Sequence, residues 1–206
     1  MNLESKRAFF DDLALRWDDS HDLAAVEQRL DEGLAAFGLL PDETVLDIGC
    51  GTGNLTKVIL RRLSPAGKVV AVDISPKMVE VARQKIADKR VSWLVADAHN
   101  LPLPQGIFDR AICLAVWPHF DDPLAAAREL WRVLRPGGAI HIWHLMSRER
   151  MNQVHASAGG PVAHDLLPPA AETGLVLEKA GFDVLEAKES DDLYLVTAVR
   201  HADRLA

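Results

Sequence analysis

Val45-Leu46-Asp47-Ile48 has the apolar character of a buried strand with one carboxylate set into it, and it runs directly into Gly49, Gly51 and Gly53 at alternate positions. Glycine lacks the Cβ that holds a ligand off the main chain and it tolerates positive φ. The segment therefore predicts a tight strand-to-helix turn whose backbone a bound molecule can touch. The dinucleotide fingerprint spaces its glycines as G-x-G-x-x-G and offers a helix N-terminus to a pyrophosphate. Here Gly53 falls one residue early, and the fixed charge of Asp47 repels a phosphate while suiting an ammonium or sulfonium. The loop points to a cationic nucleoside cofactor, with a ligand-free turn as the alternative reading.

The rest of the chain alternates strand and helix. An amphipathic helix is expected over 5–17, with Ala8, Phe9, Leu13 and Trp17 on one face, and a second over about 22–37. Strands are expected at 44–48, 68–72, 91–95, 108–114 and 139–145, with helices following the glycine loop and spanning about 76–87 and 122–134. Ser75-Pro76 supplies an N-cap and a first-turn proline, and Pro136-Gly137-Gly138 reads as the turn into the fifth strand. Such alternation implies a parallel sheet with right-handed crossovers and helices on both faces. The last two strands, about 183–189 and 193–199, are joined by Ser190-Asp191-Asp192, too short for a crossover, so they must pair antiparallel.

The motifs in order resemble those of one family, the class I S-adenosylmethionine-dependent methyltransferases. The first is VLDIGCGTG from Val45, the second Val69-Val70-Ala71-Val72-Asp73-Ile74-Ser75, the third Ala96-Asp97-Ala98, and Arg132 to Gly138 resembles the turn before strand five. The likeness covers roughly residues 40 to 200 and resembles most closely the small-molecule, type 11 branch. It implies a Rossmann-like, doubly wound α/β fold: a seven-stranded sheet, mostly parallel with an antiparallel last strand. A domain over 41–206 would follow an N-terminal lid segment over 1–40, the whole forming a single domain.

The resemblance also implies a site. S-adenosyl-L-methionine would lie against Asp47, Gly49, Cys50, Gly51, Gly53 and Asn54, its ammonium near Asp47 or a loop carbonyl, and S-adenosyl-L-homocysteine would be released. Asp73 would grip the ribose hydroxyls, the alternative being a helix-capping aspartate. Ile74 and Met78 would line the adenine, although core packing explains Met78 equally well. Asp97 and the Ala98 amide would read the adenine edge, against a plain turn over residues 97–100, and Leu114 completes the set.

Methyl transfer is an in-line displacement on carbon already activated by positive sulfur, so alignment supplies much of the catalysis, and a base is needed only where the acceptor must lose a proton. His119 is the candidate base, or else it orders its loop. Arg16, Trp17 and His21 from the N-terminal segment and Trp117, Pro118 and Phe120 after the fourth strand are candidates for the acceptor pocket, with Trp17 and Trp117 open between pocket wall and core. Four of the eight histidines fall within residues 141–164. His144, Arg148, Asn152 and His155 there are read as acceptor-pocket lining, with loop ordering or a metal involving His164 as alternatives. No metal site is assigned, because His141 and His144 point to opposite faces of a strand and the spacing matches no compact ligand motif.

A net charge of -7 and an isoelectric point of about 5.6 argue against a broad surface for nucleic acid or anionic membrane, and favour a small-molecule acceptor. No apolar run approaches the roughly 20 residues needed to cross a bilayer. Acidic residues near the N-terminus, together with only two cysteines, Cys50 and Cys113, place the expected setting in the cytoplasm, with the protein a monomer or homodimer. A protein or RNA acceptor, a non-catalytic cofactor-binding module and, more remotely, a dinucleotide oxidoreductase are the competing readings.

Overall fold

The alternation of strand and helix is realised in a computed structural model that describes residues 3–20 and 22–201. Seven strands form a mixed sheet with helices around it, and the chain divides into two compact units, Asn2–Ala96 and Asp97–Ala206.

The first unit contains α1 (Leu3–Leu13), a 3-10 helix over Ala14–Ser20, α2 (Leu23–Ala36), β1 (Thr44–Ile48), α3 (Asn54–Arg62), β2 (Lys68–Asp73), α4 (Pro76–Lys85) and β3 (Val91–Val95). Its strands lie in the order β3-β2-β1, all parallel, with Ile48 beside Val72 and Asp73 beside Val95. Val45, Leu46 and Ile48 on β1, Ala71 and Val72 on β2 and Val58 and Ile59 on α3 are each within 1% of complete burial, which accounts for the apolar run on β2 and for the one on β1 that only Asp47 interrupts. Helix starts follow local chemistry: Asp22 accepts from the Ala25 amide, and Ser75 accepts from the Met78 amide ahead of Pro76. The N-terminal helix expected over 5–17 stops at Leu13 and continues as the tighter 3-10 form. His21 lies outside the described residues.

The second unit contains β4 (Phe108–Leu114), a 3-10 turn over Trp117–His119, α5 (Pro123–Val133), β5 (Leu134–His144), α6 (Arg148–Ala158), a 3-10 turn over Gly160–Val162, α7 (Ala170–Ala180), β6 (Phe182–Glu189) and β7 (Tyr194–Arg200). The order is β4-β5-β7-β6, with β4 and β5 parallel and β7 antiparallel to both of its neighbours, so the short turn at 190–192 does join an antiparallel pair. Two expectations are corrected. Pro136-Gly137-Gly138 does not precede the fifth strand but lies inside it, where the register against β4 shifts between Phe108 and Arg110. Residues 148–158, where the sequence reading allowed for loop-ordering side chains, form a helix, because Ser147 accepts from the Arg150 amide and starts it.

Candidate functional site

In the first unit the loop after β1 hangs on a single carbonyl: the amides of Gly49 and Cys50 donate to Val72 O at 2.8 and 3.0 Å. Gly49, Gly51 and Gly53 have φ of 69°, 51° and 87°, the left-handed values that glycine alone adopts without strain. Their reasons differ. A Cβ on Gly51 would meet only Trp17 Nε1, at 3.9 Å, whereas one on Gly53 would press on Ile86 Cδ1 at 2.9 Å and on Ala82 and Trp93 at 3.2 Å. Gly53 is therefore required by the protein's own packing, and Gly51 leaves the main chain approachable.

Asp73 ties this loop to the end of β2. Its Oδ2 accepts from the Gly51 amide and its Oδ1 from the Ser75 amide, each at 2.8 Å. Asp47 lies deeper, 1% exposed, with Oδ2 accepting from Thr56 Oγ1 at 2.5 Å and Oδ1 buried without a hydrogen-bond partner. Burial pushes its carboxyl up to about 7, against the Thr56 hydrogen bond and with the charge of Asp73 adding to the rise. Cys50 is a buried thiol pushed well up by burial and by the same two carboxylates, which makes it inert rather than nucleophilic.

The N-terminal segment is fastened to this loop by side chains that the sequence reading did not single out. Asp18 accepts from Thr52 Oγ1 at 2.8 Å, Asn54 Nδ2 at 2.9 Å and Lys85 Nζ at 2.6 Å. Burial raises its carboxyl pKa, but those three donors outweigh burial and hold it low. Asp11 accepts from Ser75 Oγ and the Lys77 amide, and Arg7 donates to Ile74 O. Asn54 is thus engaged by Asp18 and Lys85. Ile74 is half-buried, Met78 is buried in the core, Trp17 is half-buried and packs edge-on against Phe10, and Arg16 is exposed.

In the second unit Asp97 forms a turn, its Oδ1 accepting from the His99 amide at 3.0 Å and meeting His99 Nδ1 at 2.6 Å, with Ala98 buried behind it. Leu114 ends β4 and is half-buried. Trp117 is 1% exposed and packs edge-on against Phe120, so it fills the core instead of walling a pocket. His119 Nδ1 lies 2.7 Å from Asp165 Oδ2, and its ring is 4.8 Å from that of His155. His155 Nδ1 donates to the Asp165 carbonyl at 2.6 Å, and Asn152 clasps Leu167 through both its amide and its carbonyl.

Arg148 is held in ion pairs with Glu149 and Glu189. The contacts of Asn152 and His155 with residues 165–167 order the α6 to α7 connection, the role that the sequence left open as an alternative for the histidines. His144 is completely buried, edge-on to Tyr194, with neither ring nitrogen hydrogen-bonded; burial first, then the neighbouring His119 and His155, lower its pKa to about 3 and keep it neutral. His164 is exposed, and no group of three or more metal-ligating side chains occurs among the described residues.

Sequence reasoning missed Asp18, Thr56, Lys85 and Asp165. Thr56 alone left a local signal, a hydroxyl on an otherwise apolar helix face; the others act through contacts 33 to 67 residues apart.

Comparison with known proteins agrees with this geometry. A family model described as a methyltransferase domain matches residues 46–142. A ubiquinone/menaquinone biosynthesis C-methyltransferase of Hahella chejuensis is 36% identical over 138 residues, 64% of this chain and 55% of the relative. A malonyl-[acyl-carrier protein] O-methyltransferase of Serratia marcescens is 39% identical over 123 residues, 59% of this chain and 46% of the relative. The chain thus spans about half the length of these curated relatives. The crystal structure of a SAM dependent methyltransferase from Aquifex aeolicus superposes with a TM-score of 0.70 at 27% identity, covering 88% of this chain and all of that one. With its glycine loop, its acid closing β2 and its mixed seven-stranded sheet, this chain carries a methyltransferase domain over residues 46–142 and is similar in sequence and fold to the S-adenosylmethionine-dependent methyltransferases.

Proposed function

We propose that the protein transfers a methyl group from S-adenosyl-L-methionine to a small-molecule acceptor by direct displacement. The observation that carries the cofactor reading is the pair of carboxylates at the ends of β1 and β2. The buried, unpartnered Oδ1 of Asp47 suits an ammonium, and Asp73 is already oriented by the Gly51 and Ser75 amides toward a vicinal diol. The cofactor supplies an electrophilic methyl on positive sulfur. Asp47 and the loop carbonyls would hold the amino-acid end, Asp73 the ribose, Ile74 and Met78 an adenine face, and Asp97 with the Ala98 amide its edge. Gly49 and Gly51 would let the main chain approach, Gly53 and Asn54 would fix the loop, and Cys50 and Leu114 would complete the apolar lining.

The acidic balance favours a small acceptor over nucleic acid. The relative named for ubiquinone/menaquinone biosynthesis supports a small acceptor, whereas the one named for malonyl-[acyl-carrier protein] modifies a group carried on a protein, and their names include both C- and O-methylation. Arg16 and Trp17 on the N-terminal lid, with His119, His144, Arg148, Asn152 and His155, are the residues proposed to face or support the acceptor. No helix among the described residues is long and apolar enough to cross a membrane. Calorimetry tests the cofactor half: S-adenosylhomocysteine is expected to bind at micromolar concentration while NAD gives no heat, and the reverse would end the proposal.

A further inference from the structure

Thr56 lies in the first turn of α3, completely buried, on a helix whose Leu55, Val58, Ile59 and Leu60 are buried with it. A hydroxyl in such apolar company costs free energy unless it finds a partner, and valine has the same shape without that cost. The partner is Asp47 on β1: Thr56 Oγ1 donates to Oδ2 at 2.5 Å. The other carboxylate oxygen, Oδ1, is buried with no hydrogen-bond partner. One oxygen is thus satisfied by the protein and one is left for a donor from outside, all within the first unit. Burial opposes the Asp47 anion most, the Thr56 hydroxyl favours it, the like charge of Asp73 opposes it again, and the Thr56 amide, a first-turn N–H, favours it. A cation that donates a hydrogen bond is what this balance lacks, and an ammonium is such a group.

We propose that Thr56 is a positioning residue of the cofactor site: its hydroxyl holds the Asp47 carboxylate by one oxygen, so that the other is presented, ionised, to the ammonium of the cofactor's amino-acid end. This rests on the cofactor half of the methyl-transfer reading above and deepens it by naming what makes Asp47 ready. When Asp47 is protonated, the proton sits on Oδ1, because Oδ2 already accepts, and it must pass to water before an ammonium can donate there. Removing the Thr56 hydroxyl frees the carboxylate to turn and favours its protonated form, so cofactor binding moves to higher pH. The other titratable groups beside Asp47 are Asp73, which accepts from the Gly51 and Ser75 amides, and Cys50, whose thiol stays protonated.

Thr56→Val keeps the shape and removes the donor, and Thr56→Ser restores a hydroxyl. By calorimetry, Thr56→Val is expected to bind S-adenosylhomocysteine about tenfold more weakly than the parent at about pH 6, and within about threefold of it at about pH 8.5. Thr56→Ser is expected within about threefold of the parent at both. Carbon-13 NMR of the aspartate-labelled proteins without ligand, with Asp47 assigned by its loss in Asp47→Asn, is expected to place its titration about one pH unit higher in Thr56→Val. Thr56→Ala, smaller and also without a hydroxyl, is expected to reproduce that shift and serves in place of a valine variant that does not fold. An Asp47 titration unmoved by loss of the hydroxyl, a weakening equal at both pH values, or a serine variant as impaired as the valine one would each overturn the assignment. A parent protein that binds no S-adenosylhomocysteine at either pH would instead defeat the cofactor reading, while the ligand-free titrations would still decide whether Thr56 governs Asp47.

Discussion

Around Asp73 the first unit works with main chain: a carboxylate holds two backbone amides, a single carbonyl holds two more, and the glycines keep that backbone bare. Around His119 the second unit works with side chains: three imidazoles and one carboxylate, with His144 buried and unsatisfied among them. Backbone donors have one geometry and one protonation state, so a site built from them recognises one shape. Imidazoles bring tautomers and titration, so a site built from them can be retuned by a neighbouring acid. On the proposed reading, the contrast gives constancy to the main-chain contacts around Asp73 and chemical choice to the imidazoles around His119.

The largest effect is expected on the backbone-built side. Asp73→Ala releases the Gly51 and Ser75 amides together and removes the proposed ribose partner, at about 3 kcal/mol or more. Calorimetry should show S-adenosylhomocysteine binding weakened at least about 100-fold, and an unchanged affinity would erase the distinction between the units. Gly53→Ala forces positive φ and crowds Ile86, Ala82 and Trp93, so thermal denaturation should record a loss of about 2 to 3 kcal/mol.

Next comes pH. Because Asp47 titrates near 7 in the free protein and a bound ammonium favours its anion, cofactor affinity should drop up to about tenfold per pH unit below 7 and level off above 8. A flat profile would remove Asp47 from the site. The same raised pKa means that this residue's own contribution to stability declines as pH rises from about 4 to about 7.

His144 works in the opposite sense. Its folded pKa, about 3, lies below the unfolded value, so stability present above about 6.5 is lost as pH falls toward 3. His141, buried beside Arg110 and lowered likewise to about 3, adds to that loss. Replacing His144 by Leu should raise stability by about 1 kcal/mol at pH 7.5 and flatten the acid limb, measured by thermal melts at two pH values. The smallest effect is Gly174→Ala in α7, where a Cβ would meet Val184 at ordinary distances of 3.7 and 3.8 Å; a gain of about 0.5 to 1 kcal/mol is expected, opposite in sign to Gly53→Ala.

The same division explains what could be read from sequence. The first unit's strands were legible to the residue at Thr44–Ile48 and Val91–Val95, and its glycines and acids were visible, because backbone-built features are written in local patterns. The antiparallel ending followed from a turn too short for any alternative. The His119 and Asp165 contact was not legible, since nothing local says which of several polar residues in 147–165 reaches across 46 positions. Helix α6 was hidden for a related reason: Ser147 signals its start, but few apolar side chains repeat behind it, and only Met151 and His155 are buried. Trp117 shows the limit of composition, because an aromatic after a strand suits a pocket and a core equally until its burial is known.

Asp18 has a consequence for kinetics. One carboxylate serves Thr52, Asn54 and Lys85 at once, so these three fastenings are made or lost together, apart from those of Asp11 and Arg7. Were this segment to cover the proposed cofactor, escape of S-adenosylhomocysteine would wait on the release of that one carboxylate. Part of that latch is the attraction to Lys85, which added salt screens, so the escape rate should climb with ionic strength.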